Sequence, residues 1–145
     1  MTIAKTINWA DGNQAISLFF KVYEVTKNDP ERIPDGQVII SNVLMLAREL
    51  DKIRLEWGRP IGVTSWYRPK AVNQRVGGAR NSAHLLGYAA DIFAVNHSII
   101  DFQKFVDDGW HGALGYGASK GFVHIDMRNY KGWRTGGERG VRFGY

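Results

Sequence analysis

His84, Asp91 and His124 sit in two short segments, SAHLLGYAAD (82 to 91) and FVHIDMR (122 to 128). Their types together are those of a catalytic zinc site. Two imidazoles and one carboxylate can hold a tetrahedral Zn²⁺ while leaving its fourth position to water, which separates a catalytic metal site from a closed structural one. The chain contains no cysteine, so any metal must rely on His, Asp and Glu, and disulfides and thiolate-ligated zinc or iron-sulfur sites are excluded. Hydrolysis is the chemistry these residues point to.

A single histidine is more often a hydrogen-bonded structural residue than a ligand, but the local sequence weakens that reading here. Asp91 interrupts the apolar run YAADIFAV (88 to 95), and an unpaired carboxylate in a core strand is costly, so Asp91 requires a partner. Gly87, between His84 and Asp91, removes the Cβ that would hinder a tight turn folding the loop back over the strand. If the strands of Asp91 and His124 are neighbours, three ligands converge on one face of a sheet, and a divalent cation would satisfy the buried acid. Alternation along a strand places Asp126 on the face of His124. Asp126 is then either the general base or an acceptor that orients a ligand imidazole. His111 is a weaker candidate for the base, and His97 reads as a surface residue.

The elements that must position these groups follow from pattern. Residues 1–37 mix apolar pieces with breakers, ending at Pro30, Pro34 and Gly36, and read as an irregular arm or short helix wrapping the core. From Val38 to Trp57, apolar Ile39, Val43, Leu46, Leu50, Ile53 and Trp57 recur in steps of four and three. This is the spacing of an amphipathic helix, with Arg48, Glu49, Lys52, Arg54 and Glu56 on a solvated face. The run 61–67 predicts a strand, 71–82 a loop, 88–95 a core strand, and 98–108 a helix capped by Ser98. Segments 113–117 and 122–128 predict a β-hairpin. The fold class expected is α+β, with N-terminal helices packed on a small, mostly antiparallel sheet.

At 145 residues with 44% apolar and 23% charged composition, the chain suits one globular domain. We divide it into an N-terminal arm (1–37), a core (38–133) and a basic, aromatic tail (134–145). No apolar run approaches the roughly 20 residues that span a bilayer, and the first residues lack a secretory apolar core. A cytosolic protein, a domain of a longer exported protein and a phage protein all remain compatible with that. A net charge of +5 favours an anionic partner, such as an acidic wall polymer or nucleic acid. Arg128, Lys131, Arg134, Arg139 and Arg142, interleaved with Tyr130, Trp133, Phe143 and Tyr145, make an end that could lie along a polyanion. No helix-turn-helix, zinc-finger or aromatic RNA-binding signature accompanies it, so neither nucleic acid nor a membrane is an expected partner, and a monomer is.

The segment SAHLLGYAADIF resembles the Ser-x-His-x-x-Gly-x-Ala-x-Asp motif of the M15 family of zinc peptidases. That group includes zinc D-Ala-D-Ala carboxypeptidases, phage endolysins and, at the level of fold, the hedgehog signalling domain. GALGYGASKGFVHIDMRNYKGWR is similar to the end of the M15A branch, and RPIGVTSWYRPKAVNQRVGGARNSAH to its Ser-x-Tyr-Arg segment. The resemblance covers about Val43 to Trp133. It implies His84, Asp91 and His124 as zinc ligands, and Arg68 as the group that binds the substrate carbonyl oxygen as charge builds there; otherwise Arg68 forms a structural ion pair. Ser82 would contact the peptide or simply order its turn. Tyr116 and Trp133, with Trp66 and Tyr67, would line a peptide groove or serve as core, the core reading being the stronger for Trp66.

The family's carboxylate three residues before the last histidine is replaced here by Gly121, which leaves the base open. The activity implied is hydrolysis of an amide bond in peptidoglycan peptides, as a carboxypeptidase or as a stem or cross-link endopeptidase. The alternative is a zinc-stabilised wall-binding module without catalysis.

Overall fold

The computed structural model describes residues 6–145. Its described residues form an α+β domain built on a five-stranded sheet. β1 (Ile61–Ser65), β2 (Ala89–Ala94), β3 (Ala113–Tyr116), β4 (Val123–Asp126) and β5 (Arg142–Gly144) lie in the order β1-β2-β4-β3-β5. Three of the four pairings are antiparallel, and β5 joins β3 in parallel. The hairpin expected over 113–128 is present as β3 and β4, joined through a 3-10 turn at Ala118–Lys120.

One face of this sheet meets the helices. α2 (Gln37–Trp57) buries Val43, Leu46, Ala47, Leu50 and Ile53, while Ile39 and Trp57, the two ends of the predicted stripe, are only partly buried. These pack with Val63, Ala90, Ile92, Val123 and Ile125 from alternate strand positions. Gly58, in the left-handed region at φ 75°, stops α2, as Gly after a helix typically does. α4 (Ile99–Gly109) starts at Ser98, whose side chain accepts the Asp101 N–H, and buries Phe102 and Val106. The arm contributes a short α1 (Val22–Thr26) and a 3-10 turn at Pro30–Arg32.

Three expectations are corrected. The predicted loop at 71–82 begins with a six-residue helix, α3 (Lys70–Arg75), too short to show a periodicity. Glu49, assigned to the solvated face of α2, is 8% exposed and its Oε1 accepts the backbone N–H of Trp133 at 3.0 Å. The last residues are not a free basic tail, because their cations are engaged within the fold. Arg142 Nε meets Asp107 Oδ1 at 2.7 Å and its Nη2 donates to Trp110 O, Arg134 pairs with Glu56, and Arg139 donates to Asp107 O. β5 thereby closes one edge of the sheet.

Candidate metal centre

Antiparallel pairing of β2 with β4 sets Asp91 directly opposite His124. Side chains alternate across a strand, so both point to the face away from α2 while Ala90, Ile92, Val123 and Ile125 point into the core. His84 reaches them from outside the sheet. It sits in a 3-10 turn (Ala83–Leu86) capped by Ser82, whose Oγ accepts the His84 N–H at 3.2 Å. The turn ends at Gly87, with φ 82°, where an added Cβ would stand 2.9 Å from Val43 Cγ2 and 3.1 Å from the carbonyl of Ile39. The turn can fold against α2 only because that position has no side chain.

The three groups converge. His84 Nε2 lies 3.4 Å and His124 Nδ1 3.0 Å from Asp91 Oδ1, and one donor atom from each residue falls within 4.8 Å of the other two. All are buried, His84 to 1% exposure. The imidazoles are held from behind. His84 Nδ1 donates to the carbonyl of Trp66 at 2.6 Å, which leaves the Nε2 lone pair facing Asp91. His124 Nε2 donates to Asp126 Oδ2 at 2.9 Å, which turns Nδ1 inward.

These residues fit a metal ion on an observation internal to the site. Buried His84 Nε2 has no hydrogen-bond partner among the described residues, although buried polar atoms are ordinarily satisfied. An oriented lone pair beside a carboxylate oxygen and a second imidazole is the donor set of a divalent transition metal.

Electrostatics agree with this arrangement. Burial opposes ionisation of Asp91, but the hydrogen bond with His124 and the neighbouring imidazoles outweigh it and hold the carboxyl well below its usual range. Burial likewise opposes ionisation of Asp126, yet His124 and Arg128 bring it down to about 2. Both acids are therefore anionic, and His124 between them is raised above the ordinary imidazole value against the effect of burial.

The contacts of Asp126 bear on its two sequence readings. Oδ1 accepts Arg128 Nε at 2.8 Å and the Arg128 backbone N–H at 3.1 Å, while Oδ2 accepts His124 Nε2 and Arg128 Nη2, each at 2.9 Å. The residue is fully buried. Both oxygens are already engaged, as in an acceptor that orients an imidazole and unlike a base awaiting a proton. Gly121 has φ 88° and open space where a Cβ would stand.

The remaining candidates divide. Arg68 is half-buried next to the cluster, its backbone N–H bonded to His84 O at 3.1 Å, and its buried Nε has no partner among the described residues. The alternative of a structural ion pair is not realised there. Trp66 is core, bonded from Nε1 to Gly87 O. Tyr116 and Trp133 do not line the site. Tyr116 is one residue past Gly115 and so points to the opposite face, where its hydroxyl donates to Asp107 Oδ2 at 2.9 Å. Trp133 is 4% exposed and packs on Phe105 and Gly109, its indole N–H donating to Glu56. His97 packs edge-on to Trp57, and the backbone of His111 bonds to Gly132 and Gly140; neither joins the cluster.

Residues assigned only to the tail take those places. Phe143 and Tyr145 lie with ring centroids 5.4 Å and 5.9 Å from that of His124. Together with Ser82, Ala83, His124 and Arg128 they line a hollow of about 310 Å³ over the cluster. The alternation F-G-Y was the available signal, since it puts both rings on one face of an extended segment. A larger cleft of about 480 Å³ lies along the β1 edge, between Phe19, Tyr23, Arg54 and Phe93. It contains no converging ligand set among the described residues, so we place the chemistry in the smaller hollow.

The family model described as Peptidase M15 matches residues 20–126, more than half of the chain, and spans all three converging side chains. No curated protein matches the chain.

Proposed function

Because the chain belongs to the M15 peptidase family, we propose that it is a zinc-dependent hydrolase of an amide bond in peptidoglycan peptides, acting as a D-Ala-D-Ala carboxypeptidase or as a stem or cross-link endopeptidase. The observation that carries this reading is the buried His84, Asp91 and His124 triad with its unpartnered, inward-facing Nε2. Zinc, when bound, supplies the Lewis acidity that makes water nucleophilic near neutral pH and polarises a carbonyl.

The chain's own residues do the rest. The Trp66 carbonyl fixes the tautomer of His84, and Asp126, itself clamped by Arg128, fixes that of His124. Such support keeps donor lone pairs aimed inward and raises ligand basicity. Arg68, its Nε free of internal partners, is the donor for the carbonyl oxygen as negative charge develops there. Ser82 shapes the turn that presents His84 and faces the hollow where the peptide would lie. Asp126 acts through His124, and no carboxylate stands at position 121 to serve as a proton acceptor.

That last feature favours a second reading, a wall-binding module that keeps the metal for stability alone. The two readings separate on digestion of purified peptidoglycan by zinc-loaded protein, with mass spectrometry of the released fragments and a His84→Ala control. Zinc-dependent release of peptides, lost in the variant and on chelation, is the expected result and identifies the bond. Stoichiometric zinc with wall binding but no released fragment would overturn the hydrolase in favour of the module.

A further inference from the structure

β5 lies beyond the residues matched by the family model, yet it supplies the wall that stands over His124. The Tyr145 ring is held on several sides. Phe122 meets it edge-on at 5.1 Å, Phe143 lies at 5.7 Å, and the Lys120 ammonium stands 5.7 Å from its centroid. Gly115, paired opposite His124, provides the hollow beneath it. A Cβ at Gly115 would come within 2.5 Å of Tyr145 Cε2, 2.8 Å of Phe143 Cε2 and 3.0 Å of His124 Cβ. Cε2 adjoins the carbon that bears the hydroxyl, so the phenol end of the ring lies over the β3–β4 pair at the level of the cluster.

Tyr145 is nonetheless 48% exposed, and it lines the hollow over the cluster. Aromatic rings packed only to complete a core are buried; this one is held by its neighbours and still forms part of the wall of the hollow. Arg68, whose backbone N–H bonds to His84 O, also stands beside the cluster with no acceptor for its Nε among the described residues. The Tyr145 ring by His124 and the unpartnered guanidinium nitrogen of Arg68 thus lie at the same cluster.

We propose that Tyr145 is a substrate-contacting residue, its hydroxyl donating to the peptide bound in the hollow beside Arg68, and that Gly115 is required for the ring to reach that place. This rests on the peptidase reading for the identity of the peptide, and it assigns the C-terminal strand a part in the site that the family match does not cover. A preorganised donor aimed at developing charge is worth about a hundredfold in rate or more; a phenol supplementing a guanidinium should be worth tenfold to a hundredfold.

The test is Tyr145→Phe, which keeps the ring, compared with the parent in zinc content, thermal midpoint, kcat and KM on a wall tetrapeptide or pentapeptide, and affinity of the metal-depleted protein for the same peptide. The expected result is a kcat lowered about tenfold or more, with zinc content and midpoint unchanged. Gly115→Ala, which retains the hydroxyl but displaces its ring, should reproduce the loss at full zinc content, which separates displacement of the ring from crowding of His124. Equal kinetics and equal peptide affinity in Tyr145→Phe overturn the proposal and leave the peptidase reading intact. Reduced zinc content or a lowered midpoint would also overturn it, by showing a structural role. If the zinc-loaded parent cleaves no wall peptide, the peptidase reading fails separately, and affinity decides. Weaker peptide binding by Tyr145→Phe then supports the contact, and unchanged binding refutes it.

Discussion

Asp91 and Asp126 on the central strands and Glu24 in the N-terminal arm are all acids at or below about 9% exposure, yet burial has opposite outcomes for them. On the strands, imidazoles and a guanidinium surround the carboxylates, and both stay charged in spite of desolvation. In the arm, burial dominates. Glu24 is pushed up to about 7, only partly opposed by the Lys21 backbone N–H and the ammonium groups of Lys27 and Lys21. Desolvation alone drives a carboxyl to neutrality; a buried anion persists only where donors are built around it. The density of donors about Asp91 thus marks the open sheet face as a place organised to hold charge, and the arm as a place organised to pack.

The largest effect that would sharpen this contrast is expected from Asp91→Ala. Removing the only carboxylate of the triad should abolish stoichiometric zinc binding and bring wall-peptide hydrolysis to background, read by metal analysis and fragment release. Retention of full zinc would break the assignment of the cluster. Asp126→Asn should come next, because it keeps the shape but weakens the acceptor for His124. Loss of such an outer partner lowers metal affinity about 10- to 100-fold, measurable by competition with a chromophoric chelator.

Glu24→Gln tests the other side. In the folded chain Glu24 keeps its proton up to about 7, whereas its ordinary value is 4.5. Between those values the folded state binds a proton that the unfolded state has released, so its stabilising contribution is complete below about pH 4.5 and is lost as pH rises through 7. The glutamine variant should lack this decline and be more stable than the parent above pH 7 by on the order of 2 kcal/mol. Urea unfolding at several pH values would show parallel curves for the two proteins if the contrast were false.

Much of this architecture was legible before any coordinates. The four-three spacing from Ile39 to Trp57 predicted α2 because a long helix repeats its apolar stripe often enough to be recognised. Asp91 inside an apolar run announced the site, since a buried acid must be compensated. Short elements were not legible in this way. α3 has six residues and β5 three, so neither repeats its own period often enough to be recognised. Tyr116 and Trp133 were misplaced for a related reason. Proximity to a motif along the chain says little about direction, and one step along β3 moved Tyr116 to the face of Asp107. Glu49 looked solvated because its partner, the Trp133 backbone, arrives from 84 residues away.

Residue types and local spacing by themselves determined which groups could ligate a metal, which helix carries the core stripe, and that His124 and Asp126 share a face, because these depend only on chemistry and on the repeat of a single element. Tertiary structure alone decided that Asp91 stands opposite His124, that Asp126 is engaged by Arg128, and that the last strand turns Phe143 and Tyr145 over the cluster. Those are relations of register and edge order between separate strands. They arise when long-range pairings and core packing are satisfied together, and no local pattern encodes them.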